Sequence, residues 1–150
     1  MTKIAAPSPL GPRAVIRVPF PPAELYPNQV KRAAFMGGSG RTRRAAGKYK
    51  REVLAACVAQ KGSCWGTFQE RIDGSSPLPL SMPLVVKLTF ERRKKPGRAP
   101  DIDNLVAAAK YGLDVLTDAC IWEDDGLIRK LSAEMVVADE DALIIAIEGE

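Results

Sequence analysis

Between Pro100 and Asp125 the chain reads PDIDNLVAAAKYGLDVLTDACIWEDD, which places carboxylates in two groups with a lysine between them. Asp101 and Asp103 alternate in the last extended residues before a helix, so both side chains can point to one side of the strand end. Asp124 and Asp125 close the segment just before an apolar run. Carboxylate oxygens suit hard cations such as Mg2+, which take an octahedral oxygen shell and usually keep several waters. Two or three convergent carboxylates repel one another without a cation, because like charges raise one another's pKa. The chemistry open to such a set is metal-assisted hydrolysis.

The 150 residues contain no histidine. That removes a histidine general base, a Ser-His-Asp triad and the usual zinc sites, and leaves carboxylate-and-metal chemistry as the main hydrolytic option. Cys57, Cys64 and Cys120 form neither an even set nor a metal-type spacing, so they are expected as small buried hydrophobes.

A helix opening at Asp103 puts Lys110 and Asp114 within about 20° of Asp103 around its axis. Leu105, Ala109, Gly112, Leu113 and Leu116 fall together between roughly 180° and 280°, which marks the side facing the core. The polar stripe therefore lies away from the core, where it can line a cleft. Plainer uses of the same residues are an N-cap at Asp103, an i,i+4 pair between Lys110 and Asp114, and a solvated turn at Asp124 and Asp125.

Cations surround this segment. Residues 1–100 hold 19 of the 22 Lys and Arg but 5 of the 18 Asp and Glu, whereas residues 101–150 hold 3 and 13. One basic run, with Arg92, Arg93, Lys94, Lys95 and Arg98, stands immediately before Asp101. A second, with Lys31, Arg32, Arg41, Arg43 and Arg44, occupies residues 25–51 together with Lys48, Lys50 and Arg51 and no acid. Charge of one sign beside a carboxylate cluster suits contact with a phosphate backbone, which is independent of sequence and weakened by salt.

The elements that must position these residues follow from periodicity. Strands are predicted over Ala14–Phe20, Leu84–Phe90, Leu127–Val137 and Ala142–Glu148, with helices from about Thr42 to Lys61 and from Asp103 to about Thr117. The stretch PPAELYPNQVKRAAFMGGSGRT is rich in Pro and Gly and reads as a loop or flap, residues 62–82 as an irregular connection, and residues 1–13 as a flexible lead-in to a single domain over 14–150. The order predicts an α+β domain, a mixed β-sheet of about four strands with two main helices on one side. No run approaches the roughly 20 apolar residues that span a bilayer. Prolines interrupt the N-terminal segment too early for a secretory signal, so a cytoplasmic location is expected.

These residues resemble the RusA family of Holliday-junction resolvases, found largely in phages and prophages. The resemblance rests on Asp101-Ile102-Asp103-Asn104-Leu105 opening a helix, a lysine on that helix, and Trp122-Glu123-Asp124-Asp125, with VPFPPAELYPN as an earlier match. In the best-known family pattern the lysine stands two residues after the leucine, where this chain has Ala107. Lys110 lies one turn later on the same side, consistent with a helix longer by three residues.

The resemblance implies a metal-dependent endodeoxyribonuclease in which Asp101, Asp103 and Asp125 bind Mg2+, with Mn2+ as a substitute. Asp124 is an auxiliary ligand and Lys110 stabilises the transition state. It also implies a homodimer that binds a four-way junction and nicks two opposing strands, leaving 5′-phosphate and 3′-hydroxyl ends. The alternatives are a non-catalytic DNA-binding protein, in which the acids cap a helix and fill turns, and a nuclease for other branched or duplex DNA.

Overall fold

Strands and helices form where β-branched alternation and helical periodicity say they should, with one correction near the N-terminus. The computed structural model describes residues 13–35, 39–60 and 79–150. Its elements are β1 (Arg13–Val18), α1 (Pro27–Phe35), α2 (Ser39–Gln60), β2 (Leu84–Arg92), α3 (Ile102–Asp118), β3 (Ile128–Val137) and β4 (Ala142–Gly149), with short 3-10 turns at Ala23–Leu25 and Asp125–Leu127. The expected α+β domain with a four-stranded mixed sheet is present. β1 begins at Arg13, at the edge of the expected lead-in; the rest of that lead-in, Lys61 at the end of the expected helix, and residues 62–78 of the irregular connection lie outside the described residues.

The expectation of a loop over the Pro- and Gly-rich stretch is wrong: it holds a 3-10 turn, α1 and the start of α2. Pro27 occupies the first position of α1, where its missing N–H removes no helical hydrogen bond and its fixed φ favours the helix. The Tyr26 carbonyl accepts from the N–H groups of Gln29 and Val30 to start the turn. Proline therefore initiates structure here instead of ending it.

The sheet order is β1-β4-β2-β3, with β4 antiparallel to both neighbours and β2 parallel to β3. Alternate residues of β1, β2 and β4 face the helices: Ile16, Val18, Val86, Leu88, Phe90, Leu143, Ile145 and Ile147 are buried. The opposite face carries ion pairs, Arg17 with Glu91 at 2.7 Å and Lys87 with Glu134 at 2.8 Å. This period-two switch between apolar and charged residues places the helices on one side. The outer edge of β1 is closed by the Gln60 side chain, which accepts from the Arg17 N–H and donates to the Arg17 carbonyl.

α3 is the crossover between the parallel strands β2 and β3, and it buries Leu105, Ala108, Ala109, Gly112, Leu113, Val115 and Leu116. This is the predicted apolar side, widened by Ala108 and Val115. Gly112 lets α2 approach closely, because a Cβ there would stand 3.2 Å from Tyr49 Cε2 and 3.3 Å from Val53 Cγ2. The Tyr49 hydroxyl donates to the Pro19 carbonyl at 2.8 Å, tying α2 to the end of β1, and burial pushes its pKa well above the usual phenol range.

After α3 the chain closes a Schellman motif. Cys120 N–H bonds to the Thr117 carbonyl at 3.1 Å and Ile121 N–H to the Leu116 carbonyl at 2.9 Å, with Cys120 at φ 61°. Glycine usually fills this left-handed position. Cys57 is buried as expected, but Cys120 is exposed, because a residue at that turn points away from the core; Cys64 lies outside the described residues.

Candidate active site

The N-terminal end of α3 presents two exposed carboxylates, of which the helix uses only one for its own first turn. Asp101 holds the N-cap position in extended conformation, yet its side chain makes no capping hydrogen bond. The helix begins one residue earlier than predicted, so Asp103 is in the first turn and is not the N-cap; its carboxylate accepts only the adjacent Asn104 N–H, at 3.0 Å. Both side chains are exposed. Negative charge there is favoured by the unsatisfied N–H groups of the first turn. Arg98 Nη2 comes to 4.0 Å of Asp101 Oδ1, a loose contact with a guanidinium that is 91% exposed.

Along α3, Lys110 and Asp114 are exposed on the same stripe as Asp103. The i,i+4 pair between them does not form, and Lys110 makes no ion pair among the described residues. A free ammonium thus stands in the middle of the acidic stripe.

The second acidic group is held by an apolar anchor. Trp122 is fully buried, donates its indole N–H to Thr117 Oγ1 at 2.8 Å, and forms a parallel bridge with Leu80. With Trp122 locked in the core, the next residues turn outward into the 3-10 turn. Asp124 caps that turn by accepting the Gly126 N–H at 3.1 Å. This bond, with a hydrogen bond shared with Asp125, holds the Asp124 carboxyl below the usual range. The shared hydrogen bond first, then partial loss of solvent and the negative charges of Asp124 and Asp114, hold Asp125 above it.

The two acidic groups are not adjacent within one chain. Asp101 follows the loop that leaves the C-terminal end of β2, whereas Asp125 precedes β3, whose first residue pairs with Leu84 at the N-terminal end of β2. Seventeen residues of α3 separate them, a helix about 25 Å long. The charge that perturbs Asp125 from α3 is Asp114, eleven residues beyond Asp103 and roughly 16 Å along the axis. Among the described residues no three His, Cys, Asp or Glu side chains converge closely enough to hold a metal ion. Sequence reasoning placed Asp114 on the polar stripe but did not include it with the acids, although its spacing carried that signal.

In kind, these donors fit a hard divalent cation: all are exposed carboxylates, and Asp101 has no competing cap bond. Mg2+ is commonly held by one or two carboxylates with water completing its shell, so each pair suffices as a partial site.

The cations expected to meet DNA lie on three segments. Lys31 and Arg32 on α1, Arg41, Arg43 and Arg44 on α2, and Arg93, Lys94, Lys95 and Arg98 after β2 are all exposed, while Arg92 is half-buried. Asp141 orders the loop after β2 by accepting the Arg93 N–H at 2.8 Å and the Lys95 ammonium.

The α+β domain thus carries a βαβ crossover with acids at both ends of its helix and a lysine without an ion pair between them. The chain belongs to the RusA endodeoxyribonuclease family, whose model, Endodeoxyribonuclease RusA, matches residues 20–148. Membership implies endonuclease activity on Holliday junctions. Among curated proteins no sequence matches the chain. Among the described residues no helix is long and apolar enough to cross a membrane.

Proposed function

We propose that the protein is a Mg2+-dependent, structure-selective endonuclease that resolves four-way DNA junctions by paired, symmetric nicking as a homodimer. The observation that carries this reading is the pair Asp101 and Asp103, both exposed at a helix N-terminus, with Asp101 making no capping bond and a basic run immediately before it. When bound, Mg2+ supplies a water of lowered pKa and neutralises charge on the phosphate. Asp101, Asp103 and Asp125 are the residues that would hold it, with Asp124 as an auxiliary acceptor. The Lys110 ammonium, free of ion pairs, offsets the charge that builds on the pentavalent phosphate. The basic groups at 31–44 and 92–98 hold the phosphate backbone on either side.

The length of α3 bears on how such a site is assembled. A site that uses both acidic groups needs them from different subunits, the pair at 101 and 103 from one and the pair at 124 and 125 from the other. A two-fold dimer then has two such sites, which suits a substrate with two equivalent strands.

The test is cleavage of an end-labelled four-way junction and a linear duplex at equal salt, with and without Mg2+. The expected result is junction cutting at two symmetric positions only with metal, abolished by Asp101→Asn and by Asp125→Asn. Wild-type cutting by both variants, or equal cutting of the duplex, would overturn the assignment. Binding without scission under any divalent metal would identify a non-catalytic DNA-binding protein.

A further inference from the structure

Above the N-terminal end of α3 a cavity of about 380 Å3 opens between the first 3-10 turn and the loop after β2, with Phe20, Tyr26, Arg92, Lys95 and Arg98 in its wall. Its volume is within the range of small-ligand sites, roughly 300–1,000 Å3. Pro100, the residue before Asp101, forms another part of the wall, so the cavity adjoins the first acidic pair.

The lining is chemically uneven. Asp141, its only acid, is already occupied by the Lys95 ammonium and the Arg93 N–H. Arg92 has no ion-pair partner among the described residues, and Arg98 has only its loose contact with Asp101. Tyr26 is half-buried, and its hydroxyl makes no hydrogen bond among the described residues. Burial raises its pKa, so it stays a protonated donor at neutral pH. Its backbone is fixed by the bonds that close the 3-10 turn and open α1, so the ring is held in place. An anchored aromatic ring, a spare hydroxyl and two guanidinium groups, Arg92 without an ion pair and Arg98 only loosely contacted by Asp101, match one ligand class. A base stacks on the ring, and an arginine fork holds a phosphate through paired hydrogen bonds.

We propose that this cavity receives one unstacked nucleotide of the DNA strand next to the phosphate at Asp101 and Asp103, and that Tyr26 and Arg92 thereby set where the cut falls. Flipping a base out costs unstacking as well as unpairing, and stacking continuity is already interrupted at a branch point. The cavity therefore couples junction structure to cut position. This inference rests on the nuclease reading above for its consequence, though not for the binding itself.

The experiment uses the full chain and four-way junctions carrying a single 2-aminopurine at successive positions around the branch, with Ca2+ in place of Mg2+. The expected result is a fluorescence rise at one position per strand, kept by Tyr26→Phe and lost in Tyr26→Ala and Arg92→Gln. Junction affinity of the last two should fall roughly tenfold. In Mg2+, cutting by these variants should spread to neighbouring positions. A rise at no position, or a rise unchanged in both Tyr26→Ala and Arg92→Gln, overturns the proposal. Should Tyr26→Ala not fold, Arg92→Gln decides. A rise without any cutting by wild type refutes the nuclease reading and leaves the nucleotide pocket standing. Cutting without a rise refutes the pocket alone.

Discussion

Asp103 and Asp125 stand toward opposite ends of the crossover from β2 to β3, with most of α3 between them. If one reactive centre draws on both, it is shared between subunits, and two inactive variants should complement. Mixing Asp103→Asn with Asp125→Asn after co-refolding should restore roughly one quarter of wild-type nicking, since half of the dimers are mixed and each has one intact site. The mixed dimers should also nick one strand instead of two. No activity in the mixture would place each site within a single chain.

The left-handed turn at Cys120 should be improvable. A non-glycine residue there costs about 1–3 kcal/mol, and its thiol has only a long, weak contact to the Asp118 carbonyl at 4.0 Å. Cys120→Gly should raise Tm by about 2–4 °C per kcal/mol recovered, as read by thermal unfolding. A lower Tm would mean the side chain contributes more than the turn costs.

Asp141 predicts how the basic loop responds to acid. The Lys95 ammonium first, and then the Arg93 N–H, hold its carboxyl below the usual carboxylate range. A depressed folded-state pKa contributes stability above the unfolded value of about 3.9 and loses it as pH falls through the folded value. Asp141→Asn should therefore be less stable than wild type at neutral pH. In urea titrations the gap between the two should narrow as pH falls past the unfolded value and through the depressed folded one. A gap that persisted unchanged in acid would show that the side chain acts without its charge.

Close packing between α2 and α3 depends on Gly112. Gly112→Val puts a branched side chain against Tyr49 and Val53, where the glycine leaves no room for a Cβ without a shift. Overpacking of this kind typically costs about 1–3 kcal/mol. The urea midpoint should fall, and the Tyr49 hydrogen bond to Pro19 should loosen. An unchanged midpoint would show that the two helices separate freely.

Much of the chain could be read before folding, for reasons tied to particular residues. β2, β4 and α3 were evident because LVVKLTF, ALIIAIE and the Leu105–Leu116 spacing impose their own periods, and each is one-sided in the way its buried face requires. The acids and cations were evident as chemistry, since carboxylates without histidine leave few alternatives. α1 was missed because Pro27 looked like a breaker, and only its position at the start of the helix makes it compatible.

Sheet order and the reach between sites belonged to the tertiary structure. β3 and β4 are consecutive and joined by four residues, yet they do not pair: β4 inserts between β1 and β2. Local residues cannot specify that, because either neighbour would satisfy the same backbone hydrogen bonds and bury the same alternate side chains. The family resemblance likewise grouped Asp101, Asp103 and Asp125, and the sequence by itself says nothing of the distance between them. A helix advances about 1.5 Å per residue, so the 17 residues of α3 put the two acidic groups at its two ends. Residue types and their periods therefore settled the elements and the chemistry. Packing of α3 against the sheet settled which acids can meet within one chain.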